Sequence, residues 1–416
     1  MTRHLLRLIW NRKRSNFLIM LEILCAFLVL EGVVLMATHY ANNYRQPLGF
    51  SIERTWAVNM DPKRSPDDKT VRAAQMAIVR QLLNVVRDLP EVEAACVGFT
   101  APYGNSSWGS GFKVNGREID HSANSGSEDC DKVLGITMLG GRWFSKEDDG
   151  TGYEPVILNR RLAALVFGPD VDPVGKTIAK DRDELAERAR VDSGDPPPQP
   201  LRVVGWIEDY RQHGEYSTPD EYMFTRVKLD DPLTRPPNQL MIKVRPGTPP
   251  AFEETLVTHL QDTARDWSFG VRQVVNQRED KLRQYTIPLT AFAIVAGFLL
   301  LMVALGLTGV VWQNVTQRIR EIGLRRAKGA RIEHIHQQIL GELVVMTSIA
   351  LLVGVVLLVQ APLLPLPRNA RFISTGVFAL SIVLSMLFIY LLTIACGWYP
   401  ARLATKIQPA EALHYE

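Results

Sequence analysis

The sequence predicts a membrane protein with four transmembrane α-helices and a large α+β extracytoplasmic domain inserted between helices 1 and 2. Within the 416 residues, four apolar segments are nearly free of charged side chains. Each segment is near or above the ~20 residues that a helix rising ~1.5 Å per residue needs to cross ~30 Å of hydrocarbon. One long polar block separates the first apolar segment from the second, and it is large enough to form a domain.

The apolar segments set the predicted boundaries. We assign the four spans to residues 17–38, 286–313, 339–361 and 372–397. The remaining parts are a leading segment, the large domain, a basic loop, a short outer loop and a tail, at residues 1–16, 39–285, 314–338, 362–371 and 398–416. The first span follows a basic start, as a signal peptide does. Its apolar region exceeds ~15 residues and no small-x-small cleavage site follows, so an uncleaved anchor is predicted.

Basic residues predict the orientation, because cytoplasmic loops carry an excess of Lys and Arg. The clusters are Arg3, Arg7, Arg12, Lys13 and Arg14; Arg318, Arg320, Arg325, Arg326, Lys328 and Arg331; and Arg402 and Lys406. Four crossings place all three clusters and both termini in the cytoplasm, with the large domain outside. Arg368 and Arg371, in the short outer loop, are minor exceptions. The small net charge of +3 argues against nucleic acid as the main partner.

The large domain mixes strand and helix patterns without strict alternation, which predicts an α+β fold. The strand patterns are Thr55–Met60, Val92–Phe99, Pro155–Leu158, Leu201–Ile207 and Leu240–Val244, and the helical patterns are Thr70–Leu89, Arg160–Phe167 and Ala251–Trp267. The length of the domain predicts two subdomains, and residues 180–200 are expected to form an exposed excursion. The polar run Gln277–Gln284, followed by Pro288, predicts a helical stalk that continues the second span outward.

The four cysteines do not form a metal-binding set. Cys25 and Cys396 fall inside spans, whereas Cys96 and Cys130 fall in the outer domain. An oxidising compartment would allow a disulfide between Cys96 and Cys130, but two isolated thiols packed as small hydrophobic side chains fit the sequence equally well.

Motifs of catalysis and of metal or nucleotide binding are not found, so we expect no catalytic residue, no metal and no cofactor on this chain. Gly175-Lys176-Thr177 resembles the end of a phosphate loop, but Asp170 stands where that motif requires glycine. His334 and His336 are two residues apart, so a helix would direct them to different sides. A polar turn and two ordinary polar positions are the simpler interpretations.

Carboxylates inside or beside spans are functional candidates because they are costly in hydrocarbon. Glu22 and Glu31 lie in the first span, and Glu342 lies near the cytoplasmic start of the third. The first two are nine residues apart and therefore occupy nearly opposite helix faces. Each either pairs with a neighbouring helix or subunit or handles protons or substrate. Ala293 and Gly297 have small-xxx-small spacing, a weak indication of a dimer interface.

The basic loop between spans two and three has a local pattern of its own. Glu321 and Arg325 form an i,i+4 pair in the favourable order, and Gly329 provides a helix stop. The pattern predicts a short interfacial helix, a turn and re-entry into the membrane. A solvated positive loop is the alternative.

Several motifs give the chain a family resemblance. They are the runs 317–330 (Gln-Arg-Ile-Arg-Glu-Ile-Gly-Leu-Arg-Arg-Ala-Lys-Gly-Ala), 399–404, 409–416, 141–144, 172–178 and 203–206. Together they resemble the FtsX-like, MacB-type ABC transporter permeases, a mechanotransmission family, and they extend over nearly the whole chain. Lys328 departs from the pattern, because the family usually carries an apolar residue there.

The resemblance implies a dimer of identical or paralogous permeases in the bacterial inner membrane, with two cytoplasmic ABC ATPase subunits that bind ATP and magnesium. Fused members carry the ATPase on the permease chain, and here a separate subunit is expected. A periplasmic adaptor and an outer-membrane channel are further candidate partners, beside the lipid bilayer. The ATPase-coupling residues implied by the resemblance are Arg318, Arg320, Glu321, Ile322, Gly323, Arg325, Lys328 and Gly329.

Three functions agree with these observations. The first is a non-catalytic permease that moves its outer domain to drive efflux or extraction of an antibiotic, peptide, lipid or lipoprotein. The second is an FtsX-like signalling subunit that regulates a cell-wall hydrolase or senses antimicrobial peptides. The third is a membrane-anchored interaction module without an ATPase. Co-purification of an ATPase would exclude the third, and an adaptor partner would separate the first two.

Overall fold

The structure is a computed structural model that describes residues 13–63, 69–106, 108–179, 199–231, 235–317, 324, 331–360 and 374–404. The chain forms two compact units. A helical unit comprises residues 1–42 and 285–416, and an outer unit comprises residues 43–284. The outer unit is thus an insertion between the first and second long helices.

Four long helices carry the apolar segments: α1 (Lys13–Tyr44), α6 (Val274–Gln317), α7 (Ile332–Gln360) and α8 (Thr375–Ala404). All four are long and apolar enough to cross a membrane. Together with the mixed sheet between the first and second of them, they confirm the predicted fold class. Helix α6 has 44 residues and is continuous through Pro288, so it spans about 66 Å, twice the hydrocarbon thickness.

The core of the helical unit is apolar, with side chains such as Phe27, Val303 and Leu351 buried between the helices. Glycine, which has no side chain, allows close contact between helices, as expected in membranes. A Cβ on Gly354 would lie 2.6 Å from Phe27 Cδ1. Helices α7 and α8 also share polar contacts, among them Ser348 Oγ with the Tyr390 hydroxyl at 2.8 Å.

The described part of the outer unit contains ten strands and four α-helices. The strands are β1 (Thr55–Pro62), β2 (Val92–Gly98), β3 (Trp108–Val114), β4 (Arg117–Gly126), β5 (Met138–Gly141), β6 (Glu154–Asn159), β7 (Leu201–Ile207), β8 (Tyr222–Arg226), β9 (Gln239–Val244) and β10 (Trp267–Gln273). The helices are α2 (Lys69–Arg87), α3 (Cys130–Leu134), α4 (Arg160–Phe167) and α5 (Phe252–Thr263), and a 3₁₀ turn covers Lys146–Asp148.

All ten strands belong to one mixed sheet in the order β10-β1-β9-β2-β4-β8-β6-β7-β5, with β3 paired to β4. The pairs β4–β8 and β6–β7 are parallel, and the other pairs are antiparallel. One sheet therefore runs through the whole domain, and the division into two subdomains stays a prediction. The third predicted helix is shorter than expected: α5 ends at Thr263, and Trp267 begins strand β10 instead.

Alternation of side chains along each strand divides the core between the two faces of the sheet. On one face, Trp56, Val58 and Met60 of β1 pack with residues of α2 and α5. On the other face, Ala57 joins a second cluster that is rich in aromatic rings. Cys96 and Cys130 lie in this second cluster with Cα atoms 5.2 Å apart, and the structure joins them as a disulfide. Whether the bond forms in the cell stays a prediction, because only the redox state of the compartment decides it.

Asn159 fixes the junction between β6 and α4. Its Oδ1 accepts hydrogen bonds from the backbone N–H groups of Leu162 and Tyr222, both at 3.0 Å. Its Nδ2 donates to the carbonyl oxygen of Asp220 at 2.8 Å and to Asp209 Oδ1 at 3.3 Å. A single buried amide thus caps a helix and bonds both the backbone of Asp220 and the side chain of Asp209.

Burial raises the pKa of the Asp220 carboxyl group to about 6. A hydrogen bond from Ser122 opposes this increase, and the nearby Glu221 and Asp209 carboxylates add to it. The folded protein therefore keeps a proton that the unfolded chain loses near pH 4. The free energy of unfolding consequently falls as the pH rises from about 4 to about 6, by at most about 3 kcal/mol.

We expect Asp220→Asn to flatten this pH dependence and to raise stability at pH 7, since the amide oxygen can still accept from Ser122. Thermal unfolding of the purified chain between pH 4 and pH 8 would measure the pH dependence of stability. Asp262→Asn, on an exposed turn of α5, is the matched control and should leave the profile unchanged. An equal pH dependence in Asp220→Asn and the unmodified chain would contradict the assignment.

Candidate functional site

The predicted ATPase-coupling residues lie outside the described residues. This holds for Arg318, Arg320, Glu321, Ile322, Gly323, Arg325, Lys328 and Gly329. The description ends at Gln317 of α6 and, apart from Leu324, resumes at Arg331 before α7. Their proposed role therefore rests on the motif and on the position of the loop between two membrane spans.

The intramembrane carboxylates contact different helices. Glu31 is 1% exposed, and its Oε1 accepts a 2.6 Å hydrogen bond from Ser381 of α8. Glu22 occupies space beside α6, because a Cβ on Gly306 would lie 2.8 Å from Glu22 Oε2. The two side chains do not form one ion-binding pair. Glu342 is half-buried and accepts a long hydrogen bond of 3.5 Å from Gln338 Nε2, one turn earlier on α7.

The predicted dimer residues lie on an open surface of α6. Ala293 is exposed, and a Cβ on Gly297 would have no described atom within 4 Å. Ile294 and Phe298, on the same stretch, are 69% and 61% exposed. In a membrane this surface contacts lipid or a second transmembrane chain. Ala293 and Gly297 would allow close approach of such a chain.

The outer unit contains a site that sequence reasoning did not identify. We call it the stalk junction and define it as residues 43–46 at the end of α1, the loop 211–217, and Arg278 in α6. The last carbonyl groups of an α-helix have no partner within the helix. At the end of α1, the Nη1 atom of Arg211 donates to the carbonyl oxygens of Asn43 at 2.9 Å and Gln46 at 3.0 Å.

Arg211 also fixes the conformation of its own loop. Its Nη2 atom donates to the carbonyl oxygens of Glu215 and Ser217, the latter at 2.5 Å. The side chain is only 1% exposed. Burial lowers the pKa of Arg211, although the nearby Glu215 opposes this, and a guanidinium remains charged at neutral pH. The helix end and the loop are thus held by one buried cation with four carbonyl acceptors.

The same loop binds the first turns of α6. Arg278 Nε donates to Glu215 Oε1 at 2.5 Å, and this hydrogen bond raises the pKa of Arg278. The Glu215 side chain is 7% exposed, so the pair is largely shielded from solvent. Asn43 Nδ2 donates to the Tyr216 carbonyl oxygen at 3.1 Å, and the Tyr44 and Tyr216 rings lie 5.9 Å apart.

The ends of two long helices meet at this loop. The end of α1 and the start of α6 bond the same seven-residue segment through charge-assisted hydrogen bonds. Both helix ends therefore contact the same part of the outer unit. The loop continues into the domain through Gln212, whose Nε2 donates to the Ser106 carbonyl oxygen at 2.6 Å.

Little in the sequence points to the stalk junction. Arg278 lies in the predicted stalk, but Arg211 and Glu215 lie in a polar stretch with no periodicity. The decisive contacts join residues 168 positions apart, as for Arg211 and Asn43. Charged residues near each other in sequence, such as Glu208, Asp209 and Arg211, would have been the only local signal, and such clusters are commonly solvated.

The outer motifs of the resemblance have structural roles. In the run 141–144, Arg142 forms a bidentate ion pair with the buried Asp148 at 2.7 and 2.8 Å, and Trp143 Nε1 donates to the Ser127 carbonyl oxygen. Gly141 has φ +72°, and a Cβ there would lie 2.3 Å from the Val204 carbonyl oxygen. The Gly175 N–H donates to the Val203 carbonyl oxygen, so Gly175-Lys176-Thr177 is a turn against β7.

Comparison with known families matches both units. Residues 28–258 match the family model described as MacB-like periplasmic core domain, and residues 293–409 match the one described as FtsX-like permease C-terminal. The Macrolide export ATP-binding/permease protein MacB of Escherichia coli K12 is 27% identical over 316 residues, which are 73% of this chain and 45% of that protein. The protein of the same name from Bdellovibrio bacteriovorus is 27% identical over 295 residues, 69% of this chain and 42% of that protein.

Two solved structures are similar to the outer unit. The periplasmic region of MacB from Actinobacillus actinomycetemcomitans has a TM-score of 0.36 at 13% identity and covers 56% of this chain and 94% of that one. The extracellular domain of the noncanonic ABC-type transporter YknZ from Gram-positive bacteria has a TM-score of 0.33 at 12% identity and covers 51% of this chain and 99% of that one.

The chain spans less than half the length of the curated relatives that it matches. The periplasmic core model alone covers more than half of its residues, and the permease model covers most of the second, third and fourth long helices. The resemblance seen in the motifs is thereby confirmed. The chain belongs to the family of MacB-type permeases, membrane proteins with a periplasmic core domain and an FtsX-like permease C-terminal region.

Proposed function

We propose that this chain is the permease subunit of an ABC transporter, and that it converts ATP hydrolysis by a cytoplasmic ATPase into motion of its periplasmic domain. That motion drives export or extraction of a substrate at the outer face of the inner membrane. The chain itself is non-catalytic in this proposal, since ATP and magnesium bind the ATPase. Two permease copies, identical or paralogous, and two ATPase subunits make up the complex.

The stalk junction is the observation that carries the proposal. A protein that works by mechanical transmission needs stiff connections where its helices enter the moving domain. Arg211 ties the end of α1 to the loop 211–217 through four carbonyl groups, and Glu215 ties that loop to α6 through Arg278. A flexible linker at either place would absorb displacement instead of transmitting it.

The cytoplasmic input is assigned to the basic loop between the second and third spans. The motif residues Arg318, Glu321, Gly323, Arg325 and Gly329 would contact the ATPase, with both chain termini on the same side of the membrane. The curated relatives are named for macrolide export, which makes a macrolide the first substrate to test. An adaptor and an outer-membrane channel would complete the route of an exported substrate.

The experiment uses the tagged full-length chain, purified from its native host together with any co-purifying ATPase. Glu321→Arg combined with Gly329→Pro should reduce assembly with the ATPase, or ATP hydrolysis by the complex, at least tenfold. Arg278→Met should keep assembly and hydrolysis within twofold and still abolish most macrolide resistance of the host. Glu279→Gln, an exposed neighbour of Arg278 on α6, is the matched control and should behave like the unmodified chain.

The outcomes separate the competing functions. Intact assembly and hydrolysis in the loop variant would contradict the coupling assignment. Unchanged resistance in Arg278→Met would contradict a mechanical role for the stalk junction. Co-purification of a cell-wall hydrolase without any effect on drug resistance would favour the FtsX-like signalling function. If no ATPase co-purifies under cross-linking, the chain acts as an interaction module.

A further inference from the structure

The outer unit contains two adjoining cavities, of about 570 and 770 Å³, that share part of their walls. Both volumes fall in the range of cavities that bind small ligands. We call the combined space the polar groove. The residues common to both cavities are Asn59, Phe99, Thr100 and Ser106. Neither the family match nor the proposed function assigns a role to this space.

In the first cavity the floor is the face of the sheet opposite α2 and α5, whereas the second cavity is also lined by Met60 and by Gln75 of α2. On β1, Trp56 and Val58 point into the helix-covered core, so Asn59 faces the groove. Gln239 Nε2 of β9 donates to Asn59 Oδ1 at 2.8 Å, which fixes the orientation of both amides. Gly270 of β10 pairs with Asn59 and has no side chain, so the floor stays open beside the amides.

One wall is the loop 99–106, which the fold holds in place before any ligand arrives. The Asn124 side chain forms two hydrogen bonds with the backbone of Thr100, at 3.1 and 2.8 Å. Gln212, from the stalk junction loop, donates to the Ser106 carbonyl oxygen and accepts from the Tyr222 hydroxyl. A preformed wall reduces the entropy lost on binding.

The other wall is one face of helix α6. Four residues at i, i+3, i+4 and i+7 spacing line the groove: Gln277, Asp280, Lys281 and Gln284. Lys281 Nζ donates to Asn105 Oδ1 at 3.1 Å across the gap. The Oε1 atom of Gln277 is buried and has no hydrogen-bond partner among the residues that the structure describes. Asp280 and Gln284 are exposed on the same helix face and offer acceptors to an incoming hydroxyl or amide group.

The lining chemistry indicates the class of ligand. Side-chain amides and hydroxyls dominate, and these groups both donate and accept hydrogen bonds. Trp108, at the far end, is 50% exposed and offers an aromatic face. The charged lining residues include both signs, Asp61 and Asp280 against Arg235, Arg272 and Lys281, so no strong net charge is selected.

From these features we propose that the polar groove binds a neutral oligosaccharide. Sugar hydroxyls both donate and accept, as the amides of the groove do, and the apolar face of a sugar ring can stack on Trp108. A peptide strand cannot add to the floor at β1, because β1 is already paired with β9 and β10. The bound sugar would touch the sheet and α6 together.

The test measures binding to the full-length chain by titration calorimetry, in a detergent without a sugar headgroup and without any ATPase. The probes are the tetramer of N-acetylglucosamine and maltotetraose. We expect saturable binding of at least one probe and slower hydrogen exchange in residues 277–284. Trp108→Ala and Gln277→Leu should each weaken binding at least tenfold, with unchanged melting temperatures. Gln261→Leu, on an exposed turn of α5, is the matched control and should bind like the unmodified chain.

Other results would overturn the proposal. Absence of saturable binding by both probes at millimolar concentration would exclude it. Binding that survives both Trp108→Ala and Gln277→Leu would place the sugar elsewhere. Tighter binding of a tetra-alanine peptide than of either sugar would show that the groove is a peptide site. Because no ATPase or transport is involved, these results are independent of the proposed function.

Discussion

Replacing Arg211 with methionine is expected to destabilise the outer domain by about 4 kcal/mol, the typical cost of breaking a buried, hydrogen-bonded charge. Methionine preserves much of the side-chain volume but donates no hydrogen bonds. Four carbonyl oxygens, of Asn43, Gln46, Glu215 and Ser217, would lose their shared donor in a site closed to solvent. For a domain of this size the melting temperature should fall by about 10 °C.

Arg160→Met is the matched control for this experiment. Arg160 forms an ion pair with Glu208 at 2.9 Å, but both side chains are about half exposed. Exposed pairs contribute about 0–1 kcal/mol, so the melting temperature should change by no more than about 3 °C. Thermal unfolding of the purified chain, followed by tryptophan fluorescence, measures both variants. Equal shifts in the two would show that Arg211 is not the cation that holds the end of α1.

Gly49→Ala is expected to cost at least about 3 kcal/mol, although it adds only a methyl group. Gly49 lies directly after the stalk junction residues of α1 and has φ +82°, a conformation that side chains disfavour. Its added Cβ would lie 1.6 Å from the Asp209 carbonyl oxygen. The backbone there must move, and with it the hydrogen bond from the Arg211 N–H to the Leu48 carbonyl oxygen.

Gly150→Ala separates the conformational cost from the clash. Gly150 has φ +75°, but a Cβ there would have no described atom within 4 Å. Only the strain of positive φ remains, about 1 kcal/mol. Denaturant unfolding of both variants should therefore give a difference of about 2 kcal/mol or more. A loss of similar size at both positions would mean that the contact with Asp209 does not constrain the chain.

The membrane part of the fold could be predicted from the sequence, because each span requires a contiguous apolar segment of sufficient length. A span must be long and apolar wherever its neighbours lie. Each of the four predicted apolar segments accordingly lies largely on one of the long helices α1, α6, α7 and α8. Predicted strands such as Leu201–Ile207 also agree with the structure, because β-branched residues such as Val203 and Ile207 are both strand-forming and buried.

The errors fall where tertiary contacts override local pattern. The local pattern predicts a helix through Trp267, but that residue begins β10, which pairs with β1 from a distant part of the chain. Pairing with β1 satisfies the backbone hydrogen-bonding groups of residues 267–273, and the local sequence pattern does not show this pairing. The hydrogen bond between Glu31 and Ser381 cannot be predicted from local sequence either, because the two residues lie 350 positions apart.

From the sequence one can infer four membrane spans, a large α+β domain inserted after the first of them, and the motifs of a permease family. Hydrophobic length and short contiguous motifs carry that information locally. Which polar residues contact each other follows only from the three-dimensional fold. The stalk junction consists of Arg211, Glu215 and Arg278, which are far apart in sequence but within hydrogen-bonding distance in the fold. The polar groove likewise combines Asn59 and Gln239 of the sheet with Gln277 of α6. Burial then makes those contacts strong, which no local pattern can specify.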